Sequence, residues 1–195
     1  MRRALYLFAV VIVGAVSTAS AQARARISAR LDVQTNPPSL LVHISDLLDD
    51  PVWLDALHSA YKIRVHWRVQ LWRSRALFDS PQPPIEWDDV IQQVPVLDVY
   101  TYTEPGGSTP MTTRFDTLDL LKAWVSQDVQ LNTPPGLTPG KWYYIVDATL
   151  STIAPDQSTS SDASGLAETV RRLILGGGPS QDLPRMKTAD FIIRR

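Results

Sequence analysis

Residues Tyr61–Arg73 read Tyr-Lys-Ile-Arg-Val-His-Trp-Arg-Val-Gln-Leu-Trp-Arg. This segment determines the fold class. Its odd positions are apolar as far as Leu71, and its even positions are polar as far as Gln70. Strict alternation is the period of a β-strand with one face in a core and the other in water. At about 3.3 Å per residue the strand spans roughly 40 Å, so we expect it to cross a whole sheet.

The N-terminus predicts export. Arg2 and Arg3 precede the apolar run Ala4–Val16, and two overlapping Ala-x-Ala sites follow it. This is the layout of a secretory signal peptide, with cleavage expected after Ala21 or Ala23. The alternative is an uncleaved anchor, but the apolar run is shorter than the ~20 residues that a spanning helix needs. We therefore predict a periplasmic or secreted protein without a transmembrane segment after cleavage.

Composition excludes several classes of function. The formal charge is −1 for the full chain and becomes −3 without Arg2 and Arg3, which argues against nucleic-acid binding. Cysteine is absent, which rules out disulfides, thiolate metal sites and a cysteine nucleophile. Removing the signal peptide leaves about 174 of the 195 residues, enough for one domain with an apolar core.

Several shorter stretches repeat the two-residue period or are rich in β-branched residues, which predicts further strands. They are Ala25–Gln34, Leu40–Ile44, Ile85–Gln93, Asp98–Thr103, Met111–Phe115, Lys141–Ser151 and Ala189–Ile193. We expect the first two to form a hairpin, because Asn36-Pro37-Pro38 must turn the chain. The third and fourth are expected to form a second hairpin.

Three short helices are also predicted. Asp50 and Pro51 form a helix start, because aspartate caps exposed backbone N–H groups and proline fits the first helical position. Asp116 is predicted to cap a second helix. Apolar residues at helical spacing predict a third, which the glycines at 176–178 end; these residues are Leu166, Val170, Leu173 and Ile174.

Strands outnumber helices and do not alternate regularly with them. The predicted fold class is therefore mainly β (α+β), an antiparallel β-sheet or β-sandwich with about three short helices. We divide the chain into a signal peptide at 1–21, a β-rich domain at 22–156, and a region at 157–195 with a flexible linker, an amphipathic helix and a C-terminal tail.

The order of these features resembles the exported bacterial family of domains of unknown function numbered forty-three ninety. The resemblance runs from Ala29 to about Ser151 and rests on four features. They are a short helix (Val52–Ser59), the basic and aromatic ending of a long strand (Val69–Arg75), a hairpin that begins with tryptophan (Trp87–Tyr102) and a late strand (Pro139–Tyr144). The family usually carries Tyr-Asp-Pro-Leu where this chain has Gln93–Val96, and the tail after Ser151 also departs from it. The resemblance implies this fold and export. It transfers no catalytic residue, because the family has no established activity.

The polar face of the central strand is the first candidate site, and its basic residues are Lys62, Arg64, His66 and Arg68. Neighbours on this face lie about 6.6 Å apart, so their like charges favour a compensating anion. The ligand would be an anionic envelope component, such as a phospholipid headgroup, lipopolysaccharide or a glycan acid, or an acidic envelope protein. The alternative is compensation by carboxylates on neighbouring strands, for which Asp98, Glu104 and Asp147 are available.

An exposed aromatic set is the second candidate, and its members are Trp72, Tyr100, Tyr102 and Tyr143. Beside the arginines these side chains would form a docking surface for a carbohydrate, a peptide or a protein. The alternative is that a helix or a second sheet covers them.

Metal binding and catalysis receive little support from the sequence. His43, His58 and His66 lack any paired ligand spacing and fall on elements that face different ways, so no metal or other cofactor is expected. There is no Gly-x-Ser-x-Gly motif, and the adjacent acidic residues in Asp49-Asp50 and Asp88-Asp89 point in different directions.

Together these observations predict an exported, non-catalytic binding or accessory domain of the bacterial cell envelope, with an open basic and aromatic sheet face for an anionic ligand or protein partner. One alternative is a hydrolase or carbohydrate-active enzyme with a site assembled from distant residues. Another is a structural subunit of an envelope assembly. A cleft with converging carboxylates or a Ser/His pair would favour the enzyme.

Overall fold

Residues 24–105, 109–154 and 178–194 are described by a computed structural model of the chain. Their strands are β1 Arg26–Asp32, β2 Ser39–Ser45, β3 Lys62–Ser74, β4 Ser80–Pro81, β5 Ile85–Val94, β6 Val99–Glu104, β7 Met111–Phe115, β8 Val129–Leu131, β9 Gly140–Ile153, β10 Ser180–Asp182, β11 Met186–Lys187 and β12 Phe191–Ile193. The helices in these ranges are α1 Pro51–His58 and α2 Leu118–Val125, and a 3₁₀ turn spans Pro95–Leu97. The mainly β prediction is confirmed. The predicted third helix lies outside the described residues.

Two antiparallel sheets contain these strands. The small sheet has the order β1-β2-β8, and the large sheet has the order β10-β9-β3-β5-β6-β7, with β4 paired to β3 and with β11 and β12 paired to β9. β3 pairs with β9 along its whole length, from Lys62 opposite Ile153 to Ser74 opposite Lys141. The predicted long strand therefore lies in the interior of the large sheet, and the predicted hairpins β1–β2 and β5–β6 are confirmed.

The core lies between the two sheets. Alternation places the apolar residues of β3 and β9 on the inner face of the large sheet, where they are buried; they are Ile63, Val65, Trp67, Val69 and Leu71 with Trp142, Tyr144, Val146, Ala148 and Leu150. Leu40, Val42 and Ile44 of β2 belong to the same buried cluster from the small sheet. This arrangement follows the sequence pattern, because each strand buries one of its two faces.

The two helices begin at capping residues. The Asp50 carboxylate accepts a hydrogen bond from the Val52 backbone N–H at 3.1 Å, and Pro51 is the first helical residue, so the predicted start of α1 is confirmed. The predicted cap of α2 is wrong by one residue. Thr117 is extended and its hydroxyl accepts a bond from the Leu120 N–H at 3.3 Å, while the exposed Asp116 lies near Arg114.

Two of the predicted strands are shorter in the structure than the sequence indicated. The first strand was predicted to include Val33 and Gln34, but β1 ends at Asp32 and Val33 is exposed. The predicted terminal strand is β12, shortened to Phe191–Ile193. No helix in the described ranges is long and apolar enough to cross a membrane.

Candidate functional site

The outer face of β3 carries the predicted basic residues, and acidic residues of β5 lie beside them. His66 is opposite Asp88, and Arg68 is opposite Glu86. The Asp88 carboxylate accepts hydrogen bonds from Arg64 at 2.6 Å and from His66 at 2.8 Å. Burial alone would raise the pKa of Asp88, but these two bonds outweigh it and lower that pKa below its usual range. This face is therefore substantially neutralised within the chain.

The neutralising residues are not the ones expected. Arg68 lies 3.5 Å from Glu86, and neither Glu86 nor Asp88 was proposed as a partner. Asp147 is opposite Arg68 in β9, but its carboxylate accepts a bond from Arg185 at 2.6 Å.

The other two proposed partners lie elsewhere. Asp98 follows the 3₁₀ turn with a positive φ of 49°, and Glu104 lines an inner cavity. Lys62 is half-buried at the start of the same outer face, opposite Ile153.

The aromatic set is not the exposed surface that was expected. Tyr102 is buried, because its partner across the strand pair is the core residue Ile91 and both side chains point inward. Tyr100, two residues earlier, is half-buried against the same core. The alternation in β6 was thus assigned to the wrong face.

Trp72 and Tyr143 do lie on the outer face, but other groups cover them. Their rings stack at 6.4 Å between centroids. The Lys187 Nζ lies 3.7 Å from the centroid of Tyr143, and the Tyr143 hydroxyl donates to Asp79 at 2.7 Å. The connection after β3 and the strand β11 therefore bury this tyrosine, and the predicted open docking face is absent here.

A cavity of about 180 Å³ lies between the two sheets and beside α2, and we call it the Asp89 cavity. Its apolar walls come from both sheets, and three aromatic side chains, Trp67, Tyr102 and Trp124, also line it. Its acidic residues are Asp89, Glu104 and Asp128. The cavity therefore combines an apolar and aromatic wall with carboxylates.

Asp89 is the buried polar group of this cavity. Its side chain faces inward because it follows the outward-facing Asp88 in β5, and the residue is only 3% exposed. The Trp67 indole N–H donates to it at 2.8 Å, and the nearby Tyr102 and Trp87 side chains also favour its charged form. Burial, with a smaller contribution from the charge of Glu104, raises the pKa of Asp89 to about 6. A carboxyl group with such a pKa beside a cavity is a candidate functional group.

A serine, a histidine and an aspartate meet at the rim of the cavity. The Ser28 hydroxyl lies 2.8 Å from Nδ1 of His43, and the Asp128 carboxylate lies 3.2 Å from the same nitrogen; Arg30 also pairs with Asp128. A catalytic triad needs the serine on one ring nitrogen and the carboxylate on the other. Both partners share Nδ1 here, so this arrangement is not that of a triad.

The histidines do not form a metal centre in the described part of the chain. His43 is on β2, His66 is paired with Asp88 on the outer face of β3, and His58 is exposed near the end of α1. In residues 24–105, 109–154 and 178–194 no three His, Asp or Glu side chains are placed to hold a metal ion together.

Sequence reasoning missed the role of Asp89. Asp88-Asp89 was treated as an adjacent pair with divergent side chains, which is correct, but the inward direction of the second member was not used. The inward direction of Asp89 could have been predicted from the two-residue period of Trp87, Asp89 and Ile91. This period places a carboxylate between two apolar residues on one face of the strand.

Comparison with known proteins assigns neither a family nor a function to this chain. No family model matches the chain, and neither the curated proteins nor the solved structures yield a match. The proposals below therefore rest on the residues themselves.

Proposed function

We propose that this chain is an exported, non-catalytic binding module of the bacterial cell envelope, and that its ligand occupies the Asp89 cavity. The N-terminal signal sequence supports export. The observation that carries the proposal is a carboxyl group only 3% exposed in the wall of a cavity of about 180 Å³. Small-ligand sites are typically concave and mostly apolar, with a few placed polar groups.

The lining indicates the kind of ligand. An engineered protein cavity of about 150 Å³ takes benzene, so the Asp89 cavity has room for a ligand of about one ring. A carboxylate has about four acceptor sites, and the Trp67 indole N–H occupies one of them at Asp89. Acceptor capacity is therefore left for a donor on the ligand. Because Glu104 and two tryptophan rings also line the cavity, the preferred ligand is a small aromatic or cyclic amine.

Two features support binding rather than catalysis. The bond from the Trp67 indole N–H holds Asp89 in one orientation, which favours a fixed acceptor over a group that must exchange protons freely. At the rim, Ser28 and Asp128 both contact Nδ1 of His43, so the histidine is not oriented to take a proton from the serine.

The basic face of β3 is expected to contribute little to ligand binding. An anion would have to compete with Glu86 and Asp88 for Arg68 and Arg64. Both arginines lie on the outer face of β3, and neither lines the Asp89 cavity. Replacing both by glutamate should therefore leave binding in that cavity unchanged.

Benzylamine titration tests the proposal, with benzyl alcohol as the neutral analogue. Indole N–H resonances in a two-dimensional NMR spectrum report on the six tryptophans. We expect the Trp67 signal to shift with benzylamine, and the shift to disappear in Asp89→Asn. Asp88→Asn is the matched control, because it changes the neighbouring carboxylate on the opposite face, and it should keep the response. No shift in the wild type, or equal loss in both variants, contradicts the proposal.

A hydrolase or carbohydrate-active enzyme is the second candidate. Two observations favour it. Asp89 and Glu104 line the same cavity, where a carboxyl group with a pKa of about 6 suits a general acid, and a Ser/His pair, Ser28 with His43, lies at the rim. Hydrolysis of p-nitrophenyl glycosides and of peptidoglycan glycan strands tests this. Activity that is lost in Asp89→Asn and in Glu104→Gln, but retained in Asp88→Asn, would establish the enzyme in place of the binding module.

A further inference from the structure

Three connections meet at one end of the large sheet. Ser74, the last residue of β3, is opposite Lys141, and Gly140, the first residue of β9, is opposite Ile193 of β12. The connection that follows β1 reaches the same end, because Val33 lines one groove together with Ile192. We call this the apolar end and define it by Val33, Leu77, Phe78 and Ile192.

The apolar end exposes four large hydrophobic side chains: Leu77 and Phe78 in the connection after β3, Val33 in the connection after β1, and Ile192 in β12. The four defining residues are between 64% and 86% exposed, and the two highest values after Val96 in the described residues belong to Leu77 and Phe78. These two are adjacent at the tip of the turn between β3 and β4. Single exposed apolar residues are ordinary, but a contiguous exposed group marks an interaction surface.

The chain fixes the tip in this exposed position. The Asp79 carboxylate accepts the Arg75 backbone N–H at 3.0 Å through one oxygen and the Tyr143 hydroxyl at 2.7 Å through the other. These bonds lower the pKa of Asp79 below its usual range, so the carboxylate is charged when it closes the turn. These bonds stabilise the turn in the conformation in which Leu77 and Phe78 are exposed.

Two arginines flank the tip in the sequence. Arg75 is exposed, and Arg73 donates to the Pro139 carbonyl at 2.9 Å, while Arg194 is exposed beside the groove that Val33 lines. Among the acidic residues at this end, Asp79 closes the turn, Asp190 pairs with Lys141 at 2.7 Å, and Asp32 accepts the Gln34 backbone N–H. An apolar tip with a basic surround is complementary to an anionic lipid surface, where apolar side chains enter the acyl region and arginines meet headgroups.

We propose that the apolar end docks on an anionic phospholipid bilayer and inserts Leu77 and Phe78. Leu77 and Phe78 project from the tip of a turn and lie outside the groove that Val33 and Ile192 line. Projecting apolar side chains beside arginines match a surface that they can enter, such as a bilayer. Removing both side chains from the inserted tip should weaken vesicle binding by at least about tenfold, given the transfer free energy of two large apolar side chains. This proposal is independent of the ligand in the Asp89 cavity.

Vesicle co-sedimentation of the exported chain, from Gln22, tests the proposal. The vesicles are phosphatidylethanolamine with phosphatidylglycerol, and phosphatidylcholine alone is the neutral comparison. We expect binding to the anionic vesicles, and at least tenfold weaker binding for the double variant Leu77→Ser, Phe78→Ser. The matched control is Val96→Ser, Leu97→Ser, a second adjacent pair, 94% and 57% exposed, beyond the opposite end of β3. It should bind like the wild type.

A fluorescent label shows whether the tip inserts. Because the chain has no cysteine, Phe78→Cys and Val96→Cys each accept one environment-sensitive dye. Anionic vesicles should shift the emission to the blue for the dye at position 78 and not for the dye at position 96. The proposal is overturned by absence of binding, by equal binding to neutral vesicles, by equal loss in the control pair, or by an unshifted dye at position 78. A tip that serves a protein partner would give the first of these outcomes.

Discussion

Asp88 and Asp89 are neighbours in β5 with opposite surroundings. Asp88 faces outward, where bonds from Arg64 and His66 stabilise its charged form and lower its pKa. Asp89 faces inward, where it loses water and gains only neutral donors, so its pKa rises to about 6. Neutral donors compensate a buried carboxylate less fully than a guanidinium does. One step along a strand thus separates a charge-paired surface carboxylate from a carboxyl group that titrates near neutral pH.

The raised pKa predicts how Asp89 affects stability. Its folded-state pKa of about 6 exceeds its ordinary value of 3.8, so the folded chain retains this proton over a pH range in which the unfolded chain loses it. This contribution to stability is fully present below about pH 4 and is lost as the pH rises through about 6. Two pKa units correspond to about 3 kcal/mol. Urea unfolding from pH 4 to 7 should show the wild type losing about this much stability relative to Asp89→Asn.

The comparison must be made between variants, because other carboxylates also titrate in this range. Asp88→Asn provides the control. Because the pKa of Asp88 is lowered from 3.8, its contribution to stability is present above about pH 4 and is lost only as the pH falls further, so its stability difference from the wild type should stay nearly constant from pH 4 to 7. A constant difference between the wild type and Asp89→Asn from pH 4 to 7 would contradict the assignment of the raised pKa to Asp89.

At the scale of residues, the sequence predicts which way a side chain points only where the period is unbroken. Trp67 was correctly placed inside because it continues the alternation of β3. Tyr102 was misplaced because β6 reads Val-Tyr-Thr-Tyr-Thr-Glu, in which the tyrosines and the threonines each fit a core or a surface. The side chains that approach a residue from distant strands, such as Trp67 at Asp89, are set by register, and register depends on the fold as a whole.

At the scale of elements, the residues that cap the two helices differ in the number of backbone groups that they bind. The Asp50 side chain is buried and accepts the Val52 N–H at 3.1 Å, and its second oxygen lies 3.4 Å from the Ala25 backbone nitrogen, just before β1. Thr117 caps α2 through a single bond at an exposed site. Asp50 therefore ties α1 to β1, whereas Thr117 serves its own helix alone.

Removal of each cap should reveal this difference. An N-cap substitution by alanine costs about 0.5 to 2 kcal/mol. We expect Asp50→Ala to lie at or above the upper end, because the Ala25 amide is left buried without its acceptor, and Thr117→Ala to lie near the lower end. The free energy of unfolding from urea titration measures both. A larger cost for Thr117→Ala would show that the bond to Ala25 contributes nothing.

The helices and the strands of five residues or more in the described ranges were predicted, whereas of the strands of two or three residues only β12 was. β3 and β9 carry six or more alternations each, which is enough to separate a period of two from one of 3.6. β8 and β10 have three residues each, and β4 and β11 have two. Segments of this length contain no measurable period, so they become strands only because a longer strand lies beside them.

At the scale of the whole molecule, the two sheets share one core. Leu40 of β2 and Leu150 of β9 are fully buried and belong to the same cluster. The Tyr144 hydroxyl of β9 lies 2.7 Å from the Thr133 hydroxyl in the segment after β8, and Thr133 also contacts the Pro38 carbonyl before β2. Packing and buried hydrogen bonds thus join the sheets. The sequence could predict a sandwich from its alternating strands, but not which strands face each other, because both sheets offer similar apolar faces.

A shared core predicts that the small sheet cannot unfold alone. Leu40→Ala removes a buried side chain from the small sheet and should cost about 2 to 5 kcal/mol. Because Trp67 and Trp142 are buried in the large sheet, the fluorescence transition in urea should move to lower denaturant by the full cost, as it should for Leu150→Ala. Leu41→Ala, on the half-buried outer face of β2, should move it less. If the small sheet unfolded independently, Leu40→Ala would leave the transition of those tryptophans in place and lower only the hydrogen-exchange protection of β1 and β2.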